Sequence, residues 1–164
     1  MAKLKVNHGK QYYLAVDNDM VIQSKSVEWE FKDISGGNVD NPALVGGFVR
    51  IIHKNTGKCL QPENLPPLEA GKRRTLLAPT QTGNQSQLWC FTPVANRQGW
   101  YFIENHMKEN DDEERCLDVC CRSEESGTSV ITYHKKQVRS QTIGNQWWMI
   151  EYTPIGSALI NATK

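Results

Sequence analysis

A tryptophan that returns at near-constant spacing constrains this chain more than any other feature. Trp29-Glu30-Phe31, Trp89-Cys90-Phe91 and Trp148-Met149-Ile150 begin 60 and then 59 residues apart. In each, an apolar residue follows the tryptophan by two positions, so on a strand both side chains point to one face. A second echo lies upstream of each tryptophan: Tyr13-Leu14-Ala15-Val16, Cys59-Leu60-Gln61 and Cys116-Leu117-Asp118-Val119. Repetition at this period marks equivalent units that cannot bury their apolar faces alone and must share a core.

Between the echoes the chain reads as short strands punctuated by Gly, Asn, Pro and charged turns. Phe48–Ile52 and Trp100–Ile103 open the second and third units, and Gly127 precedes the alternation Thr128-Ser129-Val130-Ile131-Thr132-Tyr133. No window carries an amphipathic-helix period. The expected class is therefore all-β, and a triplicated unit with one buried tryptophan each favours a closed threefold form. The 164 residues fit one domain, 1–164, with repeats at about 4–46, 47–99 and 100–160. The units are unequal: Leu14 to Trp29 spans 15 residues, Leu60 to Trp89 spans 29 and Leu117 to Trp148 spans 31. A unit that has lost its middle loop cannot wall a pocket, so the first is a poor ligand site. The extensions Pro62–Gly71 and Val138–Gly144 belong to the longer units, and Lys108–Arg115 reads as a charged, solvated hairpin tip.

Composition narrows the function classes. With 38% hydrophobic and 23% charged residues, the chain has enough apolar content for a core, and no run approaches the ~18 apolar residues of a spanning helix. A net charge of +1 lacks the positive excess of nucleic-acid binders. Met1–Lys10 is polar and basic, without the apolar core of a secretory signal. The five cysteines are odd in number and without metal-ligand spacing, and the adjacent Cys120 and Cys121 suit a bridge poorly. Free thiols in a reducing, cytoplasmic compartment are expected. The sequons at Asn84 and Asn161 matter only if the chain is secreted.

Gln87-Leu88-Trp89 and Gln146-Trp147-Trp148 match the Q-x-W signature, and Cys59-Leu60-Gln61 and Cys116-Leu117-Asp118-Val119 match the C-L-D-V strand, of the ricin-type (R-type) lectins. The layout resembles that family from about Val6 to Tyr152. The short first repeat, with Leu14-Ala15-Val16-Asp17-Asn18-Asp19-Met20-Val21, is also similar to the Euonymus-type lectins, cytoplasmic relatives in plants. The resemblance implies a β-trefoil of three pseudo-equivalent repeats, each able to carry one shallow sugar pocket. Such a pocket combines a carboxylate accepting from two hydroxyls, an aromatic face for the sugar's C–H side, and amides that both donate and accept. Only the third repeat keeps the set: Asp118, Tyr133, and the amide pair Asn145 and Gln146, with His134 bordering. In the second, Gln61, Leu77 and Ser86 stand at the acid, aromatic and Asn positions; in the first, Ala15 and Val27 stand at the acid and Gln positions. The family's disulfide partner region holds Lys135 and Pro79, so Cys59 and Cys116 read as small buried apolar residues.

Other features have plainer readings. Trp29, Trp89 and Trp148 are core residues rather than sugar platforms. The four histidines have no zinc spacing, and Lys72-Arg73-Arg74 reads as a solvated turn. Asp111-Asp112 and Glu113-Glu114 sit in the charged insertion, not in a cleft suited to glycosidase carboxylates. No motif of an activated nucleophile is present. The expectation is a non-enzymatic lectin for galactose or N-acetylgalactosamine-type glycans, with no cofactor, no metal, no nucleic acid and no membrane insertion, and with homo-oligomerisation as a route to avidity. The alternatives are a β-trefoil protein-interaction module, such as a protease inhibitor, and a cytoskeletal adaptor.

Overall fold

Strands form where β-branched and aromatic residues alternate with polar ones, and they fall in three sets of four. A computed structural model of the chain describes residues 1–64, 72–107, 114–139 and 142–153. The first set is β1 (Ala2–Val6), β2 (Tyr13–Asp17), β3 (Met20–Ser24) and β4 (Trp29–Lys32). The second is β5 (Arg50–His53), β6 (Cys59–Pro62), β7 (Arg73–Ala78) and β8 (Trp89–Pro93). The third is β9 (Tyr101–Asn105), β10 (Arg115–Val119), β11 (Val130–His134) and β12 (Trp148–Tyr152).

The outer strands of each set close a six-stranded ring. β1 pairs with β4, and β4 with β5. A bridge from Val49 to Trp89 joins the β5 end to β8. β8 pairs with β9, β9 with β12, and β12 with β1 from Ala2↔Tyr152 to Val6↔Trp148. The inner strands form three antiparallel hairpins, β2–β3, β6–β7 and β10–β11. These hairpins meet one another at Met20↔Leu76, Thr132↔Arg73 and Ile22↔Ser129, capping one end of the ring. Closure leaves the ring strands paired on both sides, which removes open sheet edges. This is the all-β trefoil architecture.

The threefold echo becomes a layered core. Trp29, Trp89 and Trp148 are fully buried, as are Leu14, Leu60 and Leu117. Each indole N–H donates to the carbonyl of the leucine in its own set: Trp29 to Leu14 at 3.1 Å, Trp89 to Leu60 at 2.9 Å and Trp148 to Leu117 at 3.2 Å. The donor that a buried tryptophan must satisfy is met the same way three times. Leu4, Ile51 and Ile103 supply the matching layer from β1, β5 and β9.

Two charged stretches differ from their sequence reading. Arg73 and Arg74 open β7 and pair across to β11 rather than lying in a solvated turn. Arg115 begins β10 and is buried, so the charged insertion stops before it. Residues 108–113, most of the extensions at 62–71, residues 140 and 141, and the second sequon at Asn161 lie outside the described residues.

Candidate functional site

In the third set, a strand, its hairpin partner and the loop before β12 converge on one pocket. β10 supplies Asp118. Its alternation sends Leu117 and Val119 into the core and turns Asp118 the other way. β11 supplies Tyr133, paired with Cys116, and then His134, paired with Arg115. Gly144 leads into Asn145 and Gln146, and a Cβ at Gly144 would collide with the Asn7 carbonyl oxygen, so only glycine lets this loop pass so close to the first repeat. At the hairpin turn, Cys121 (φ 59°) and Arg122 (φ 55°) adopt the left-handed conformation in succession, an arrangement that costs non-glycine residues about 1–2 kcal/mol each.

The pocket has a volume of about 590 Å³, within the roughly 300–1,000 Å³ of ordinary small-ligand sites. Asp118, Tyr133, His134 and Asn145 line it, with Lys72, Arg122, Lys136 and Ile143 among its other walls. Asp118 is 3% exposed and forms the floor. Asn145 Nδ2 donates to its Oδ1 at 3.0 Å, and Gln146 Nε2 donates to its Oδ2 at 2.8 Å. Burial pushes the Asp118 carboxyl above its ordinary pKa, against the opposing pull of the Gln146 amide, the Lys136 and Lys72 ammonium charges and the Asn145 amide. With two amides placed on four lone-pair directions, acceptor capacity remains toward the pocket. The Tyr133 and His134 rings stand 5.1 Å apart at 60°, giving one half-exposed aromatic corner.

Gln146 sits behind the wall, not on it. It is absent from the pocket lining, donates to the His134 carbonyl at 2.8 Å, and accepts from the Lys136 backbone N–H at 2.9 Å. It positions Asp118 and the β11 exit, and the structure does not bring it to the pocket surface with the other four expected residues.

The second set performs the same bracing with neutral groups. Gln87 Nε2 donates to the Gln61 Oε1 at 2.9 Å and to the Pro79 carbonyl at 2.9 Å, and Gln87 Oε1 accepts from the Gln81 N–H at 2.9 Å. Gln87 thus matches Gln146, and Gln61 matches Asp118. The register also moves the aromatic position by one residue. Cys59 pairs with Ala78 as Cys116 pairs with Tyr133, so Ala78, not Leu77, stands where the aromatic would be. Leu77 faces the core and is buried. The residue beside Cys59 is Thr80, one past Pro79, with its Oγ1 2.9 Å from the thiol.

On sequence, Lys72 is set aside as part of a solvated turn and Lys136 is not singled out at all. Lys72 comes from the second repeat and reaches over the Tyr133 ring at 5.9 Å. Lys136 Nζ donates to Asn145 Oδ1 at 3.1 Å and lies 4.0 Å from Asp118 Oδ2. Neither follows the repeat, so no periodic signal could have singled them out. Cys121 also lines the pocket, its sulfur 3.2 Å from that of Cys120, whose thiol burial and the Cys121 neighbour push up to about 11. Among the described residues, no helix is long and apolar enough to cross a membrane, and no group of three or more His, Cys, Asp or Glu side chains is placed to hold a metal ion.

Comparison with known proteins agrees with this frame. Residues 25–133, more than half of the chain, match the family model of the ricin-type beta-trefoil lectin domain-like proteins. A designed threefold-symmetric protein, ThreeFoil, superposes with a TM-score of 0.68 at 21% identity, over 93% of this chain and 98% of that one. An exo-beta-1,3-galactanase from Clostridium thermocellum gives 0.64 at 21% identity over 93% of this chain, which spans only 30% of that enzyme. A salivary protein from Culex quiquefasciatus of the Cysteine and Tryptophan-Rich family gives 0.61 at 18% identity, over 93% and 92%. No curated protein sequence matches the chain. At these identities the structural likenesses speak to the fold alone.

Proposed function

The chain belongs to the ricin-type beta-trefoil lectin-like family, and on that premise we propose that it is a lectin holding a galactose or N-acetylgalactosamine-type sugar in its third-repeat pocket. The family points to carbohydrate binding and to a non-enzymatic protein. In the proposed complex, Asp118 accepts from two neighbouring hydroxyls, Tyr133 stacks on the C–H face, and Asn145 adds an amide at the same edge.

One observation carries the reading: the carboxylate exceeds what the fold requires. The second repeat braces the equivalent glutamine with a neutral amide, Gln61 to Gln87 at 2.9 Å. The third uses a buried carboxylate whose ionised form burial disfavours. A charge kept at that cost, with acceptor capacity facing a pocket beside an aromatic ring, suits a ligand rich in hydroxyl donors. Among the described pocket residues Asp118 is the one carboxylate, so the acid pair used in glycoside hydrolysis is not assembled there.

Calorimetric titration of galactose, N-acetylgalactosamine and glucose tests the reading. A single shallow pocket should hold a monosaccharide near the millimolar level, about 4 kcal/mol. Tyr133→Ala should remove most of that affinity, while Tyr133→Phe keeps the ring face and loses less. Failure of every saccharide on a glycan array to bind would overturn the proposal in favour of a protein-interaction module.

A further inference from the structure

The pocket's charge does not suit a plain neutral sugar. Lys136 Nζ occupies Asn145 Oδ1 at 3.1 Å and stands 4.0 Å from Asp118 Oδ2, on the acceptors a sugar hydroxyl needs. Lys72 Nζ stands 5.9 Å from the centre of the Tyr133 ring, near the face on which a sugar would stack. Arg122 lines the same pocket, is exposed, and makes no ion pair among the described residues. Lys135 is already engaged, by Glu104 at 3.5 Å and Glu114 at 3.2 Å. The Lys136 and Arg122 charges therefore face one pocket carboxylate, in a chain whose net charge is only +1.

We propose that the pocket selects an acidic glycan, a galactose-type sugar bearing a carboxylate or sulfate group. This rests on the lectin reading and names the substrate class for the same site. A neutral sugar must displace the half-exposed Lys136 ammonium from Asn145 and Asp118 into solvent, at the loss of both contacts. An acidic substituent gives that ammonium a new partner inside the pocket and frees the two acceptors for hydroxyls. Arg122, projecting from the strained turn at the rim, offers a planar fork that matches carboxylate and sulfate geometry. Lys72 enters from the residue just before β7 of the second repeat, so the cationic wall spans two repeats while the hydroxyl-binding floor belongs to one.

Galactose, galacturonic acid, galactose 6-sulfate and inorganic sulfate, titrated separately into the full chain, form the test. At low salt at least one acidic sugar should bind about tenfold tighter than galactose, because two partly exposed ion pairs each contribute up to a factor of about five. The advantage should vanish near 1 M salt, where the screening length falls to about 3 Å. Lys136→Gln should move the two affinities in opposite directions, weakening the acidic sugar and strengthening galactose. Arg122→Glu should lower the acidic-to-neutral ratio further. Galactose binding as tightly as both acidic sugars overturns the acidic preference and leaves the lectin reading intact. Inorganic sulfate binding as well as the sulfated sugar overturns it too, since the site would then hold a simple anion. Binding of no sugar at all overturns both.

Discussion

Replacing Asp118 by Ala tests whether the pocket floor is also a structural brace. The side chain is almost wholly buried and accepts from two amides that are themselves buried, Asn145 at 3.0 Å and Gln146 at 2.8 Å. Neither amide can swing to solvent, because Asn145 Nδ2 also donates to the Val119 carbonyl at 3.1 Å and Gln146 Nε2 to the His134 carbonyl at 2.8 Å. Each therefore keeps one partner and loses the other, at about 1–3 kcal/mol per buried donor left unmet. Relief from burying a carboxylate offsets part of this, leaving a net loss of about 2–4 kcal/mol. Gln61→Ala leaves one Gln87 donor unmet, and because Gln61 is only half-buried water can take its place, which holds the cost to about 1 kcal/mol. For a chain of this size 1 kcal/mol moves the melting temperature by about 2–4 °C, so the first variant should lose at least twice as many degrees as the second. Urea unfolding at pH 7, with unchanged slope, gives the same comparison. A loss for Asp118→Ala no larger than for Gln61→Ala would refute the brace, and binding by this variant must be measured where it is still folded.

Three further outcomes follow from the geometry. A carboxyl whose folded-state pKa lies above its unfolded value adds stability while protonated, below about 3.9, and loses that contribution as pH rises through the raised value. Sugar binding needs the ionised form, so affinity should fall on acidification at a pH above that of an ordinary aspartate; an acid limb at or below pH 3.9 would contradict the burial of Asp118. Trp89→Ala should cost about 3–5 kcal/mol through its cavity and should also free the Leu60 carbonyl, and a near-neutral melting change would remove Trp89 from the core. Thiol titration in denaturant without reductant should return all five cysteines, whereas three would mean that one disulfide had formed and would contradict the free-thiol expectation.

How far the sequence could be read depended on whether a residue obeys the repeat. Trp29, Trp89 and Trp148 answer to the threefold core, and their spacing alone placed them there. Asp118, Tyr133 and Asn145 were legible because each sits at a fixed distance from a core leucine or tryptophan. The aromatic position in the second repeat was misread by one residue, since strand pairing, not spacing, decides that Ala78 rather than Leu77 faces away from the core. Gln146 belongs to the signature's amide pair, yet such a glutamine more often braces backbone than touches ligand, and its bonds to the His134 carbonyl and the Lys136 N–H follow that second reading. Arg122 and Lys136 have no sequence signal because they serve one pocket only. A solvated-turn reading of Lys72-Arg73-Arg74 fails once β7 pairs with β11 of the next repeat, a contact with no local signature.

The ring of outer strands is completed by β1 lying against β12, so the first strand finds its neighbour some 140 residues later in the chain. A nascent chain emerging from the ribosome carries β1 with one side unmatched until the last strand has cleared the exit tunnel. Contacts of such long separation delay folding, because loop closure must precede the reward. For most of its synthesis, then, the polypeptide exposes open strand edges and tryptophan-rich faces, and its yield in cells should depend on chaperone supply and translation speed more than on the stability of the finished barrel.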